Sequence, residues 1–552
     1  MLLLPLIAFP LFSLSFDDAG EYDALAFRLT AEMSDEQALA QTFMLGWVGA
    51  EPSPLIMNWI RSRNIGGVKI FGWNTGDTRK LAETVGELQK NALSAQFGIP
   101  LLVATDQEGG LVRHVKGATS ETPGNMAIGA SGRPMDAYLA GYYIGRELSL
   151  LGINMNFAPS VDLFTNRDST LIGPRSFGSD PVRAGILGAA FVKGQKETGI
   201  IATAKHYPGH GDTDLDSHGV LPRIDIPFDV LWDRELLPYR LLAKEDLPAV
   251  MSGHLAFPKT LAGEVPASLS SWFLLDILRG RIAYNGLIIT DDLMMNGATA
   301  FAGSLSRAAK QALLAGNDII MLSKTPNLSD PVWTYLAASM KEEPAFRERV
   351  RDACRRILTV KLGYLKGEKK VQYIPDLKKI DEGLADPEST AFFLSLAARS
   401  VTVLNGNNVF PLSPEKAGKV LLAGNYADFF NSGKNAFPGA VSYWYSSSQG
   451  TWDLLNYARD ADTIIFCLSD RAGTRILEQL RRLNKRIIVF SVLSPVYLDD
   501  VPWADGAVAV YSYAPESFIA GFSAILGRIS GDGKLPFSPG EKQGVSAEVY
   551  GN

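Results

Sequence analysis

The chain has 552 residues, which is enough for about three domains of average size or for two large ones, because a single barrel domain takes about 250 residues. With 46% hydrophobic and 20% charged residues, it lacks the polar, highly charged composition of disordered chains. Its 53 basic and 59 acidic residues give a net charge of −6 without a basic block, so we expect no nucleic-acid partner.

The first 16 residues, MLLLPLIAFPLFSLSF, form an almost wholly apolar segment. This segment is too short to span a membrane, so we expect no stable membrane insertion, and it is typical of a signal peptide. The triplet Ser13-Leu14-Ser15 has the small-x-small pattern of a cleavage site, although no Lys or Arg precedes the apolar run. The segment therefore predicts export to the periplasm or the extracellular space. The alternative is a buried N-terminal segment, which Pro5 and Pro10 disfavour because they break a helix.

Eight short apolar runs alternate with longer helical patterns between residues 41 and 324. This alternation predicts parallel strands joined by helical crossovers. The number of runs, and their spacing of about 35 residues, favour a (β/α)8 TIM-type barrel over a doubly wound sheet. The predicted strands are residues 42–48, 67–71, 101–105, 154–159, 200–205, 249–253, 287–290 and 318–322.

A second α/β region follows a charged, helix-like stretch and a connector that contains Pro and Asp. We place the barrel domain at residues 17–372, a linker at 373–395 and a C-terminal αβα sandwich domain at 396–552. In the second domain we predict a smaller parallel or mixed sheet between helices. Its predicted strands are residues 401–404, 419–423, 463–468, 486–492 and 507–511. The two cysteines, Cys354 and Cys467, fall in different domains, which excludes a disulfide framework.

The histidines point to a site in the first domain. The chain has five of them, and His206, His210 and His218 fall within thirteen residues of a segment rich in glycine. This segment follows the predicted strand at 200–205, and loops after barrel strands carry the active sites of such enzymes. The cluster therefore predicts that the active centre lies in the barrel.

A metal site is an alternative for this cluster. His206 and His210 have the i, i+4 spacing of two ligands on one helix face, and the aspartates at 212, 214 and 216 could complete a shell. The proline and glycines of the same segment would break that helix, however. We therefore expect no metal.

Carboxylates also follow predicted strands. Asp106 comes after the strand at 101–105, and Asp291 and Asp292 come after the strand at 287–290. In a parallel barrel these strand ends converge on one pocket. Carboxylates beside Arg175 and Lys205 suit a polyhydroxylated ligand, and displacement at an anomeric carbon requires a carboxylate on one face and a proton donor on the other. For Asp292 we favour a role as the N-cap of the next helix.

On these motifs the chain resembles glycoside hydrolase family 3, and within it the β-N-acetylhexosaminidases that remove terminal N-acetylglucosamine from peptidoglycan fragments. The resemblance covers the barrel in order, and the histidine motif is its most specific part. The matching stretches are DQEGG at 106–110, IGPRSFG at 172–178, KHYPGHGDTDLDSHGVLP at 205–222, SGHLAFP at 252–258 and GLIITDDLMM at 286–295.

The resemblance implies roles for individual residues. Asp291 matches the nucleophile, and His218, oriented by Asp216, matches the general acid/base. The positions that match residues holding the hydroxyls of the terminal sugar are Asp106, Arg175, Lys205 and His206. No cofactor is implied. The family usually has an arginine four residues after DQEGG, where this chain has His114 preceded by Arg113, so the sugar contact at this point stays open.

The second domain resembles the αβα sandwich that follows the barrel in many family members, through the stretches at 395–406 and 513–538. The whole resemblance implies a retaining exo-β-N-acetylglucosaminidase that acts on N-acetylglucosamine-containing glycans, such as peptidoglycan or chitooligosaccharide fragments. One alternative is a β-glycoside phosphorylase on the same scaffold. Another is a non-catalytic carbohydrate-binding barrel, which the presence of Asp291, Asp216 and His218 disfavours.

Overall fold

The computed structural model of the chain describes residues 14–213, 220–406, 408–445 and 452–538. The strands of the first domain are β1 (Phe43–Gly46), β2 (Gly67–Lys69), β3 (Leu102–Thr105), β4 (Gln107–Gly109), β5 (Val112–Arg113), β6 (Met155–Asn156), β7 (Ile201–Tyr207), β8 (Ala249–Ser252), β9 (Leu287–Asp292) and β10 (Ile319–Leu322). Its helices are α1 (Tyr22–Glu32), α2 (Asp35–Gln41), α3 (Pro54–Arg63), α4 (Thr78–Leu93), α5 (Gly124–Ser131), α6 (Pro134–Leu150), α7 (Pro181–Glu197), α8 (Phe228–Asp233), α9 (Leu237–Lys244), α10 (Asn296–Ala302), α11 (Leu305–Ala315), α12 (Pro331–Glu342) and α13 (Pro344–Leu365).

Eight of these strands close into a parallel barrel in the order β1-β2-β3-β6-β7-β8-β9-β10, with β10 paired to β1. Met44 of β1, for example, is in register with Gly67 on one side and with Met321 on the other. The strands β4 and β5 form a small antiparallel hairpin directly after β3. The structure thus confirms the TIM-type barrel, and each of the eight predicted strands overlaps a barrel strand.

Side chains alternate along each barrel strand between two cores, as the pleat of a strand requires. Phe43 and Leu45 pack against the surrounding helices, whereas Met44 points into the barrel. The inner core continues into Leu25 of α1 and Ile357 of α13, so these two helices close the end at which the strands begin. Lys69, Lys205 and Asp291 lie at the opposite end, where the strands finish.

The stretch that we predicted as a linker is mostly helical. It contains α14 (Leu377–Gly383) and most of α15 (Pro387–Ser400). The carboxylate of Asp386 caps α15 by accepting the N–H of Ser389, and Pro387 occupies the first turn, where its missing N–H costs nothing. Phe392 and Phe393 then pack into the core around the barrel. The Pro and Asp residues that suggested a connector are helix-start signals.

The second domain is a six-stranded mixed sheet between helices. Its strands are β11 (Thr402–Asn405), β12 (Val420–Gly424), β13 (Val441–Trp444), β14 (Thr463–Leu468), β15 (Arg486–Ser491) and β16 (Gly506–Ala509). Its helices are α16 (Pro414–Ala417), α17 (Ala427–Ala436), α18 (Trp452–Arg459), α19 (Arg471–Arg481) and α20 (Pro515–Ile525). The order is β11-β16-β15-β14-β12-β13, in which β11 runs antiparallel to β16. The αβα sandwich is confirmed, and β13 is an additional edge strand that we did not predict.

The two domains share a hydrophobic core. Leu421 and its neighbours on one face of the sheet pack together with Ala127 and Phe164 of the barrel domain. After α20 the chain returns to the barrel, where the N–H of Lys534 donates to the carbonyl of Ala130 at 3.0 Å. Phe537 then packs against Phe164 with ring centroids 5.0 Å apart.

None of the helices in the described ranges is long and apolar enough to cross a membrane.

Candidate active site

A cavity of about 550 Å³ opens where the barrel strands end. Lys69 ends β2, Asp106 follows β3, Lys205 and His206 lie near the end of β7, and Asp291 lies near the end of β9. These residues are distant in the chain but meet because the carboxyl ends of barrel strands converge on one face. The rings of Phe71, Trp73, Phe157 and His114 form part of the wall.

Asp106 is held between two lysines. Its Oδ2 atom lies 2.6 Å from Nζ of Lys69, and its Oδ1 atom lies 2.5 Å from Nζ of Lys205. Burial alone would raise the pKa of Asp106, but the charges of Lys205 and Lys69 outweigh this effect and hold it well below its usual range. Asp106 is therefore a fixed anion whose oxygens can also accept hydrogen bonds from ligand hydroxyls.

Glu108 joins Lys205 to Arg175. Its Oε1 atom lies 2.6 Å from Nζ of Lys205, and its two oxygens lie 2.8 and 3.0 Å from the Arg175 guanidinium in a bidentate pair. Burial opposes ionisation of Glu108, but Arg175 and Lys205 lower its pKa to about 2. This network keeps both cations in place at the cavity wall.

His206 is oriented by a buried carboxylate. Its Nδ1 atom donates to Oδ2 of Asp162 at 2.7 Å, and the backbone N–H groups of His206 and His210 also donate to this carboxylate. The bond fixes the ring so that Nε2 lies on the side of Arg175, 3.4 Å from its Nη2 atom. Burial disfavours the charged form of Asp162, yet His206 and these hydrogen bonds lower its pKa.

Asp291 lines the cavity, and two histidines influence its charge. Its Oδ1 atom accepts the backbone N–H of Asp292 at 2.8 Å. Burial raises the pKa of Asp291, but the lowering effect of His206 and His254 is larger, so the net pKa is below its usual value and the carboxylate stays ionised. His254 donates through Nε2 to the carbonyl of Asp292 at 3.0 Å and accepts at Nδ1 from Ser268. Within the described part of the chain, no lysine or arginine forms an ion pair with Asp291.

Asp292 has a structural role different from the one we predicted. Its Oδ1 atom accepts the backbone N–H groups of Met294 and Ser323, each at 3.0 Å. Helix α10 begins only at Asn296, with Met295 as its N-cap residue, so Asp292 does not cap it. Instead Asp292 ties the turn after β9 to the end of β10.

The segment after β7 is held in place by an ion pair with Arg234. Arg234 lies 2.7 Å from Asp212 in this segment and 2.7 Å from its own neighbour Glu235. A Cβ atom at Gly209 would come within 2.9 Å of the Glu235 side chain, so the segment rests directly on that carboxyl group. Burial raises the pKa of Glu235 to about 7, even though Arg234 opposes this.

The structure brings five of the seven predicted site residues to this cavity: Asp106, Arg175, Lys205, His206 and Asp291. The other two, Asp216 and His218, lie outside the described residues. Arg113 turns away from the cavity and donates to Thr119 and Glu121, whereas His114 lines it.

Sequence reasoning missed several residues of the site. Lys69 is buried in an otherwise apolar strand, Asp162 stands beyond the end of β6, and Glu108 lies inside the DQEGG motif that we used only for Asp106. A charged residue in an apolar run was the signal for Lys69, and position after a strand was the signal for Asp162. Neither pattern shows which partner a charge will meet. In the described ranges, no group of three or more His, Cys, Asp or Glu residues is arranged to hold a metal ion.

Comparisons of sequence relate this chain to known glycosidases. The profile of the Glycosyl hydrolase family 3 N terminal domain matches residues 37–360. The chain is 32% identical over 381 residues to beta-hexosaminidase A of Pseudoalteromonas piscicida, an alignment that covers 65% of this chain and 62% of that protein. It is 31% identical over 442 residues to a Cellulomonas fimi protein named beta-N-acetylglucosaminidase/beta-glucosidase, which covers 77% of this chain and 74% of that protein.

Solved structures show the same two-domain arrangement. A glycoside hydrolase family 3 beta-N-acetylglucosaminidase from Paenibacillus sp. str. FPU-7 is similar with a TM-score of 0.83 and 28% identity, covering 92% of this chain and 99% of that one. A fungal multi-domain GH3 beta-N-acetylglucosaminidase gives a TM-score of 0.85 at 29% identity, and this chain covers 61% of its length. Two structures of the beta-glucoside phosphorylase BglX share the fold, each with a TM-score of 0.81, at 21% and 22% identity.

Proposed function

The chain belongs to glycosyl hydrolase family 3, and from this premise we propose that it is a retaining exo-β-N-acetylglucosaminidase. The observation that carries the proposal is the division of charge in the cavity. Asp106 is paired with two lysines, whereas Asp291 has no such ion pair among the described residues and is kept ionised mainly by His206 and His254. One carboxylate is therefore suited to binding a sugar and the other to attacking it.

In the proposed reaction Asp291 attacks the anomeric carbon of the terminal sugar. The bond to the leaving oxygen breaks, this oxygen takes a proton from His218, and a covalent glycosyl–Asp291 ester forms. A water molecule then gives its proton to His218 and attacks the same carbon, which releases the sugar and restores Asp291. Asp216 orients His218 and stabilises its charged form, and two inversions at the anomeric carbon give net retention.

The sugar itself is held by the network at the other side of the cavity. Asp106 accepts from sugar hydroxyls, and Lys205 and Arg175 donate to them. His206, whose Nδ1 proton is bonded to Asp162, offers Nε2 to a hydroxyl as an acceptor. Because these side chains are already locked by Glu108 and Asp162, they lose little freedom when the sugar binds. Preorganised charges of this kind select a polyhydroxylated ring in one orientation.

A panel of aryl β-glycosides that differ at carbon 2 or carbon 4 tests the proposal. We expect the N-acetylglucosaminide to be hydrolysed with the highest kcat/KM, and proton NMR of the first product should show the β anomer. Equal turnover of the glucoside would change the assigned substrate class, in line with the double name of the Cellulomonas relative. First release of the α anomer, or no turnover of any member, would refute the mechanism.

The same assay in phosphate buffer tests the phosphorylase alternative. A hydrolase yields free sugar whether or not phosphate is present. A phosphorylase yields the sugar 1-phosphate, because phosphate replaces water in the second step. Binding of the glycosides without turnover would instead favour a carbohydrate-binding barrel.

We also propose that the enzyme acts outside the cytoplasm on peptidoglycan or chitooligosaccharide fragments. The apolar segment of residues 1–16 supports export. Phe16 is buried and its N–H donates to the carbonyl of Phe97 at 2.9 Å, which favours a mature chain that keeps this residue. N-terminal sequencing of active protein should then begin at Phe16, and an intact Met1 on protein recovered from the cytoplasm would contradict export.

A further inference from the structure

Lys69 is a buried cation at the end of β2, with a side chain only 1% exposed. Its ammonium group faces three acceptors: Oδ2 of Asp106 at 2.6 Å, the carbonyl of Ile70 at 2.8 Å and Nδ1 of His114 at 3.3 Å. An ammonium group has three hydrogens and no acceptor, so these contacts use all of its hydrogens.

The contact with Lys69 determines which nitrogen of His114 carries the proton. Because the lysine can only donate, Nδ1 of His114 must accept, and the ring proton must then be on Nε2. Oδ2 of Asp106 is 3.5 Å from Nδ1, too long to compete with its own 2.6 Å contact to Lys69. The Nε2 edge of the ring has no hydrogen-bond partner among the described residues, and the ring lines the cavity.

His114 also stays neutral. It faces Lys69 from β2, Asp106 and Glu108 from the segment after β3, and Lys205 from β7. Burial and the charge of Lys69 lower the pKa of His114 to about 4, and the two carboxylates do not compensate. Phe71, whose ring centroid is 4.4 Å from Nζ of Lys69 and 5.9 Å from the His114 ring, packs beside both side chains.

From this geometry we infer that Lys69 is a positioning residue that presents His114 as a neutral Nε2–H donor to a hydroxyl of the sugar bound by Asp106. The inference rests on the proposed function and goes beyond it, because it gives the cavity a further donor, His114 after β5, that a lysine of β2 positions. A neutral donor of this kind bonds a hydroxyl without requiring a counter-ion. Arg113, the neighbouring cation, is turned toward Glu121 and is not available for this contact.

The ring proton of His114 can be observed directly. Long-range proton–nitrogen NMR on the ligand-free full chain should show a protonated Nε2 and an unprotonated Nδ1, assigned by comparison with the His114→Gln variant. N-acetylglucosamine should then shift the Nε2 signal. The opposite tautomer, or a sugar that binds without moving the Nε2 signal, would overturn the inference.

Two substitutions at His114 separate the donor from the bulk of the ring. Gln keeps an acceptor for Lys69 and an N–H donor for the sugar, whereas Leu keeps only the volume. We expect His114→Leu to raise KM by about 10- to 100-fold with a smaller change in kcat, and His114→Gln to recover most of this loss. Equal KM values in all three proteins would refute the sugar contact.

Lys69→Met tests the positioning role, with Lys116→Met, an exposed lysine nearby, as the matched control. Without the charge of Lys69, the pKa of His114 should rise by about one pH unit or more, and the acidic limb of 1/KM should move upward with it. The control should leave both unchanged. A His114 titration that is identical in the Lys69→Met variant and the original chain would refute the role, and if that variant does not fold, the tautomer of the original chain decides.

These readouts distinguish the inference from the proposed function. If no glycoside is hydrolysed but N-acetylglucosamine still shifts the Nε2 signal, the function is wrong and the inference stands. If the glycosides are hydrolysed with retention but His114→Leu has no effect on KM, the function stands and the inference is wrong.

Discussion

Among single residues, Asp291 and Asp292 are chain neighbours with different proposed roles, so the same substitution at Asp292 is a control for the one at Asp291. Asp291→Asn should lower kcat by several orders of magnitude, because the amide is isosteric but not nucleophilic. Asp292→Asn keeps an oxygen acceptor for the N–H groups of Met294 and Ser323, so we expect a loss below about tenfold. Mass spectrometry after reaction with a slow fluorinated substrate should find the label on Asp291. A label on Asp292 would reverse the assignment.

The proposed role of His218 as the general acid can be tested with substrates whose leaving groups differ in their need for protonation. If it donates the proton, His218→Ala should slow natural sugars far more than activated aryl glycosides, which leave without protonation. The difference should be about 10²–10⁴-fold, the usual contribution of a general acid. Asp216→Ala should show the same trend more weakly, because it removes only the orienting group. An equal loss for good and poor leaving groups in both variants would indicate a role in binding instead.

The buried Lys361 should make the free energy of unfolding depend on pH in the alkaline range. It is buried below the barrel with Nζ bonded to Oε1 of Gln41 at 2.9 Å, and burial lowers its pKa to about 7. Because the unfolded chain keeps the ordinary lysine pKa near 10.5, it binds more protons than the folded chain between about pH 7 and 10.5. Stability should therefore rise with pH across this window.

The comparison is between the original chain, Lys361→Met and the exposed-site control Lys90→Met. Urea denaturation from pH 6.5 to 10 should show a rise of up to about 4 kcal/mol in the free energy of unfolding that only Lys361→Met lacks. The slope is the readout, since Gln41 also loses its donor in this variant. Parallel curves for all three proteins would contradict the burial argument.

On the scale of elements, the segment after β7 is positioned by Arg234, which joins Asp212 to Glu235. Arg234→Met should cost about 3 kcal/mol of stability, because it leaves Glu235 buried and unpaired. It should also lower kcat, because the segment that leads to Asp216 and His218 loses its anchor. Adding Glu235→Gln should recover the stability measured by denaturation without recovering kcat. Joint recovery of both would mean that Arg234 supports only the fold.

The strands show what the sequence can predict about elements and what it cannot. The barrel strands are short and mostly apolar, and their residues are buried apart from the half-buried Asp291 and Asp292 at the end of β9, so the pattern alone locates them. The strand β13 escapes because its side chains are largely exposed, with Val441 at 49% and Trp444 at 57%. This strand forms because it pairs with β12, and its composition alone does not indicate a strand.

The site residues were predictable to a similar extent. Their positions at strand ends predict that Asp106, Lys205 and Asp291 meet, but the contact of Lys69 with Asp106 depends on the pairing of β2 with β3.

For the whole molecule, the returning segment after α20 should contribute to stability. Phe537 is half-buried and packs on Phe164 at the junction of the two domains. Phe537→Ala should lower the free energy of unfolding by about 2 kcal/mol, less than a fully buried Phe would. Phe27→Ala, at a side chain that is 62% exposed, is the control and should have almost no effect. Thermal denaturation measures both, and equal melting temperatures for the two variants would contradict the packing role.

The return of the chain to the barrel has a mechanical consequence. A domain attached through one connection can rotate about it. Here the sandwich domain is joined to the barrel twice, through α15 and through the C-terminal segment that contacts Ala130 and Phe164. Two separated attachments remove the rotational freedom that a single pivot would leave. The described wall of the cavity comes from the barrel domain. We therefore expect a glycan chain to enter the cavity without separation of the two domains, and a cross-link between them should leave kcat/KM unchanged.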